Sequence, residues 1–184
     1  EILALPKPEK QHETSCAPEK AAGRITINED RKMFMEQKDL LWGLDKAFIK
    51  GIMKIAEKET YDKNKVLFRE GDPASDLYML IKGHVRLTLG DTGHSIYIVS
   101  HPGEVFGWSS VIGRRAYTAS AACVKETQAF RIDAKALSGL LESDPKNAVV
   151  FFQRIAAALG NRLLNIYQLA TPAATVKTFG SSRV

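Results

Sequence analysis

Between Gly103 and Ala122 the chain reads GEVFGWSSVIGRRAYTASAA, and the residue types needed to hold an anion gather there. Gly103 and Gly107 permit a sharp backbone entry, and Ser109 and Ser110 bring hydroxyls to the start of a short helical turn. Arg114 and Arg115 follow as a basic pair before Thr118, Ala119 and a strand-like run. Backbone N–H groups at a helix start, together with a guanidinium, receive phosphate or carboxylate groups. Each part also has a plainer use. The serines serve equally as helix caps, and the Arg pair as a solvated loop tip. Trp108 and Tyr117 either line an aromatic pocket for a small ligand or fill that space as core. The residues leave these alternatives open.

Other chemistry finds little support. His12, His84, His94 and His101 lack metal-ligand spacing, and neither Cys16 nor Cys123 has a cysteine neighbour, so no metal site is expected. No nucleophile–base pair, paired-carboxylate site or Walker loop occurs, and the chain reads as a non-enzyme. A small anionic or aromatic ligand is the one cofactor-like molecule the pattern suggests. The formal charge of +5 invites a nucleic-acid reading. The charge is spread thinly, however: 13 basic against 12 acidic residues over 1–65, and 11 against 9 over 66–170. That is no stripe for neutralising phosphates, so nucleic acid is not expected as a partner. Two cysteines suit a reducing cytoplasm, and no apolar run approaches membrane-spanning length. With 45% hydrophobic residues the chain can bury a sizeable core.

The elements that must position the 103–122 segment follow from periodicity. Residues 1–38, rich in Pro, Lys and Glu in their first part, read as an extended arm lying on a partner or a second copy. From Asp39, residues Leu41, Leu44, Phe48, Ile52 and Ile55 recur at three and four, the apolar face of a helix. Period 2 then takes over. EKETYDKN and KVLFREGD are short strands, and in DLYMLIKGHVRLTLG the residues Val85, Leu87 and Leu89 oppose His84, Arg86 and Thr88. SIYIVS is a return strand, and TASAACVKETQAFRID is strand-like up to Asp133, which caps AKALSGLLES. Pro145 opens a long amphipathic helix. Its face is broader than one packing seam, so Phe152, Ile155, Leu159, Leu163 and Ile166 are candidate interface residues for a partner or a homodimer. Residues 171–184 read as a loose tail.

FREGDPASDLYMLIKGHVRL, followed by HPGEVFG and YTASA, resembles the cyclic nucleotide-binding domain of catabolite-activator (Crp/Fnr) regulators, over roughly residues 40–169. The landmarks are the Gly71-Asp72 turn, Lys82-Gly83, and Gly103-Glu104-Val105-Phe106-Gly107. The resemblance implies a mainly β fold: an eight-stranded jelly-roll barrel with an N-terminal helix, a phosphate-binding cassette between two strands, and a long C-helix that dimerises. It also implies a carboxylate directly after Gly107 for the ribose and an arginine ten residues past Gly107 for the phosphate. This chain has Trp108 and Tyr117 there, although Gly107, Thr118 and Ala119 match. Losing one charged partner in a partly buried site costs about 2–5 kcal/mol, so ordinary cAMP or cGMP is not the expected ligand. About 15 residues follow Leu169, too few for the helix-turn-helix domain of family transcription factors.

Three functions compete. The first is a regulatory sensor with a divergent cassette, signalling through its C-helix to a partner. The second is an accessory subunit of a larger assembly, with a pocket filled by side chains. The third is a truncated transcription regulator.

Overall fold

A computed structural model describes residues 40–90 and 94–170, with side chains described as far as Tyr167. The arm over 1–38, the tail over 171–184, His12 and Cys16 lie outside the described residues. In chain order the elements are helix α1 (Lys46–Ile55), strands β1 (Ala56–Tyr61), β2 (Val66–Phe68), β3 (Asp76–Lys82), β4 (Val85–Leu89), β5 (His94–Val99) and β6 (Val105–Phe106), and a 3-10 turn (Trp108–Ser110). Strands β7 (Ser120–Cys123) and β8 (Thr127–Asp133) and helices α2 (Ala134–Ser143) and α3 (Pro145–Ala170) follow. The eight strands form two four-stranded antiparallel sheets, ordered β1-β8-β3-β6 and β2-β7-β4-β5. This is the expected jelly roll with flanking helices, flattened into two sheets rather than closed as one hydrogen-bonded cylinder.

Strand β3 shows why the sequence folds this way. Its side chains alternate between two cores. Leu77, Met79 and Ile81 join the cluster under the helices, whereas Tyr78 and Leu80 point between the sheets. A strand buried on both faces reads as the continuous apolar run LYMLI. On its edge side β3 holds β6, through Tyr78 opposite Phe106 and Met79 opposite Val105. That pairing delivers the chain to Gly107.

Three boundaries differ from the periodicity. Among the described residues the first helix begins at Lys46 rather than taking in Leu41, because Gly43 takes φ +84°, a left-handed conformation that ends any helical run. Leu41 and Leu44 are buried all the same, from a turn. Leu89 is 41% exposed because it lies at the end of β4, one residue past the last pairing with β7 at Thr88 and Ser120. The strand-like run through Asp133 divides at 124–126, where the chain leaves β7 in one sheet and enters β8 in the other.

Asp133 caps α2 as expected, its side chain accepting from the Ala136 N–H at 2.7 Å. Pro145 occupies the first position of α3. The broad apolar face of α3 divides into two. Phe151 and Ile155 are buried in the chain's own core, with Leu159 packed against it. Ile155, at 2% exposure, is thus internal packing rather than free interface, and Leu159 is largely so. Ile166 is half-buried. Phe152 and Leu163 remain open, joined on the outer side by Val149, Leu164 and Tyr167. Buried Asn147 ties the start of α3 to that of α1: its Oδ1 accepts from the Asp45 N–H at 2.9 Å, and its Nδ2 donates to Asp45 and Asp144.

Candidate ligand site

The cassette begins where β6 ends. Gly107 has φ +75°, and a Cβ there would lie 3.0 Å from the Asp76 carbonyl oxygen and 3.2 Å from the Tyr78 ring. Glycine therefore satisfies both the backbone turn and the close approach to β3. The residues after it make only a single 3-10 turn, too short to present much of a helix dipole. Its hydroxyls are used within the loop. Ser110 Oγ donates to the Gly107 carbonyl at 2.9 Å, and buried Ser109 Oγ lies 3.4 Å from Thr118 Oγ1. Arg114 and Arg115 are exposed. Backbone bonds pin the segment beside them to the Gly71-Asp72 turn: Ala74 N–H to the Arg115 carbonyl, Tyr117 N–H to the Asp72 carbonyl, and Gly71 N–H to the Tyr117 carbonyl, at 2.9–3.0 Å. Ala119 is half-buried beside β7.

The two substituted positions diverge. Tyr117 turns inward and is 4% exposed. Its ring stacks on Phe68 at 3.8 Å and 15°, and continues an aromatic column through Phe68, Tyr78 and Phe106. Its hydroxyl donates to the Asp76 carbonyl at 2.8 Å and accepts from the Asp76 N–H at 3.0 Å. Burial pushes the Tyr117 phenol above its ordinary pKa, with smaller opposing effects from the Asp76 and Ser75 hydrogen bonds. The position where the resemblance implies arginine is thus core.

Trp108 instead turns toward α3 and packs at the margin of the helix-side core. There it meets Arg162. The guanidinium carbon stands 4.2 Å from the centroid of the Trp108 ring and 4.2 Å from that of Tyr97. Attraction between a cation and an aromatic face holds at such distances. Arg162 is 7% exposed and its Nη2 donates to the Val105 carbonyl at 3.0 Å. Its Nε and Nη1 are buried with no hydrogen-bond partner. Burial lowers the Arg162 pKa, with Tyr97 and the Glu104 charge opposing it. Glu104 gives Arg162 no direct bond. One of its carboxylate oxygens accepts from the Tyr97 hydroxyl at 2.7 Å, and the other from the Ser100 and His101 N–H groups at 2.8 Å. Burial by itself raises the Glu104 pKa, but the bonds from His101, Tyr97 and Ser100 and the Arg162 charge bring it below its ordinary value.

The structure therefore brings together Gly107, Trp108, Ser109, Ser110 and Thr118, and leaves Arg114 and Arg115 outside. Arg162, Tyr97 and Glu104 had no assigned role in the sequence reading. Spacing could have found Arg162: it follows Phe151, Ile155 and Leu159 on the buried face of α3, where another apolar residue would be expected. Among the described residues no group of His, Cys, Asp or Glu could hold a metal ion, and no helix is long and apolar enough to cross a membrane.

A two-sheet jelly roll with a Gly-entered cassette after β6 and a long helix laid against it defines a cyclic nucleotide-binding-type regulatory fold. The profile of the cyclic nucleotide-binding domain matches residues 58–144. A solved structure of a candidate cyclic nucleotide-binding protein from Geobacter metallireducens is 30% identical, with a TM-score of 0.60, over 66% of this chain and 89% of that one. The chain belongs to the cyclic nucleotide-binding domain family. A CRP-like cAMP-activated global transcriptional regulator of Mycobacterium tuberculosis is 23% identical over 129 residues, covering 69% of this chain and 58% of the regulator. A candidate potassium channel protein of Rhodopseudomonas palustris is 27% identical over 112 residues, covering 61% of this chain and 27% of the channel. The chain thus spans less than two thirds of these curated relatives.

Proposed function

We propose that this chain is a regulatory sensor module whose divergent cassette takes a ligand other than cAMP or cGMP and signals through α3 to a protein partner or a second copy. One observation carries this reading. Arg162 of α3 lies between Trp108 of the cassette and Tyr97 of β5, so a change at the cassette is felt directly by the helix. The outer stripe of α3, with Phe152, Leu163, Leu164 and Tyr167 exposed, supplies an apolar surface on which the helix can meet a partner. Tyr117 stands against ordinary cyclic nucleotides, since it puts a buried ring where the resemblance implies a guanidinium. Isothermal titration with cAMP and cGMP should give no saturable heat at micromolar concentration. Hydrogen exchange of α3 should respond to whichever metabolite does bind. Micromolar cAMP binding would overturn the divergent-ligand part, and α3 exchange indifferent to a bound ligand would overturn the signalling part.

The filled Tyr117 position also favours a second reading, an accessory subunit that docks through α3 and binds nothing in its cassette. Substituting Phe152 and Leu163 by serine should then abolish co-purification of the partner, while no metabolite alters the melting temperature.

A further inference from the structure

An arginine buried with two unpartnered donors is unusual, because each lost hydrogen bond to a charged group is costly in a dry site. The Arg162 guanidinium carbon stands 4.2 Å from the ring centroids of both Tyr97 on β5 and Trp108 in the cassette. The donors Nε and Nη1 are buried beside those rings with no hydrogen-bond partner. Carboxylate and phosphate oxygens dock in the guanidinium plane. The Val105 carbonyl takes Nη2 and fixes the orientation. The nearby carboxylate of Glu104 is occupied by three other donors and supplies charge without a hydrogen bond.

We infer that Arg162 is the anion receptor of this module: a small carboxylate or phosphate binds in the plane of its guanidinium, beside Tyr97 and Trp108. The cation that the resemblance implies at position 117 is here provided by the C-helix. This deepens the sensor reading and rests on it. The donors are covered, so an arriving anion must draw Arg162 outward or displace the Trp108 ring. Either movement changes the contact between α3 and the cassette.

The test uses the full chain carrying Trp42→Phe, which leaves Trp108 as the single tryptophan. Sodium phosphate and sodium acetate are titrated separately at constant ionic strength, following Trp108 emission and the Arg162 Nε–H resonance in 15N spectra. At least one salt should move both signals saturably; phosphate alone or acetate alone identifies which oxyanion is preferred. Arg162→Met should weaken binding at least about 30-fold, the lower end for removing a charged hydrogen-bonding partner. Glu104→Gln should tighten it by removing a like charge, a direction that a merely structural role would not produce. Arg114→Gln with Arg115→Gln should leave it within about twofold. If Arg162→Met does not fold, the Nε–H titration of the Trp42→Phe protein decides alone. Two results overturn the assignment: neither salt moves both signals saturably up to about 20 mM, or Arg162→Met binds as tightly as its parent. A response that survives Arg162→Met and vanishes on removing Arg114 and Arg115 sinks this site while sparing the sensor reading. Binding at Arg162 with unchanged α3 hydrogen exchange does the reverse.

Discussion

Replacing Tyr117 by arginine would put back the guanidinium that the family resemblance implies, and a sequence comparison alone would predict recovered cyclic-nucleotide binding. The structure predicts a damaged core instead. Tyr117 is one end of the stacked aromatic column with Phe68, Tyr78 and Phe106, and its hydroxyl serves both the N–H and the carbonyl of Asp76. Tyr117→Phe keeps the stack and orphans those two partly buried backbone groups, a loss of about 2 kcal/mol. Tyr117→Arg also removes the ring, which for a large aromatic costs about 3–5 kcal/mol when truncated, and it adds a charge with no acceptor among the rings. For a domain of this size 1 kcal/mol corresponds to about 4 °C in melting temperature. Thermal melts by far-UV circular dichroism should therefore fall by about 8 °C for Tyr117→Phe and by at least about 12 °C for Tyr117→Arg, with no cAMP heat in calorimetry. A Tyr117→Arg protein that melts within about 2 °C of the parent and binds cAMP at micromolar concentration would refute the reasoning.

Gly83→Ala should destabilise far more than Gly71→Ala. A Cβ at Gly83 would lie 2.6 Å from the Thr127 Cα, whereas at Gly71 it meets nothing within 4 Å. Urea midpoints should show a loss of about 1–2 kcal/mol at Gly71, from its left-handed φ alone, and clearly more at Gly83. Arg131 bonds Glu59 at 2.7 Å and Asp76 at 3.0 Å, and also contacts Glu57. Arg131→Met should lower stability by about 1–3 kcal/mol by leaving three carboxylates facing one another. Added salt should recover part of this by screening them, and an unchanged urea midpoint in low salt would refute the role. Glu104 has a folded-state pKa below its ordinary value, so its contribution is complete above the usual carboxylate range and is lost as pH falls through the folded value. Melting temperatures of the parent and Glu104→Gln should accordingly differ most near neutrality and converge in acid. A gap independent of pH would show that the ionised form is not what matters.

Much of this fold is written in two periodicities. Alternation locates the strands, spacing by three and four locates the helices, and the glycines at 71, 83, 103 and 107 sit at left-handed turns where side chains are disfavoured. Periodicity cannot show which sheet a strand joins. The passage of the chain from β7 to β8 was invisible for that reason, since both pieces alternate in the same way. The cassette was legible as a backbone path, because Gly107 and Thr118 stand at fixed offsets. It was not legible as a ligand site. Whether Trp108 and Tyr117 share a pocket depends on two directions of packing, and the chain sends one ring between the sheets and the other against a helix about fifty residues downstream. Arg162 escaped notice because a single cation among leucines reads as the edge of an amphipathic stripe.

Arg162 is also the last buried side chain along α3 among the described residues, since Leu163, Leu164, Asn165 and Tyr167 are exposed and Ile166 is only half-buried. The helix runs on to Ala170, eight residues further, a projection of about 12 Å at 1.5 Å per residue. If α3 carries the signal as proposed, Arg162 is the fulcrum of a lever. A tilt of about 10° there carries the free end through about 2 Å, comparable to the helix shifts that reset interfaces in allosteric proteins. The mechanical gain of the module is then set by how far the chain continues past position 162. Lengthening or shortening that stretch would rescale the output stroke without touching the site that starts it.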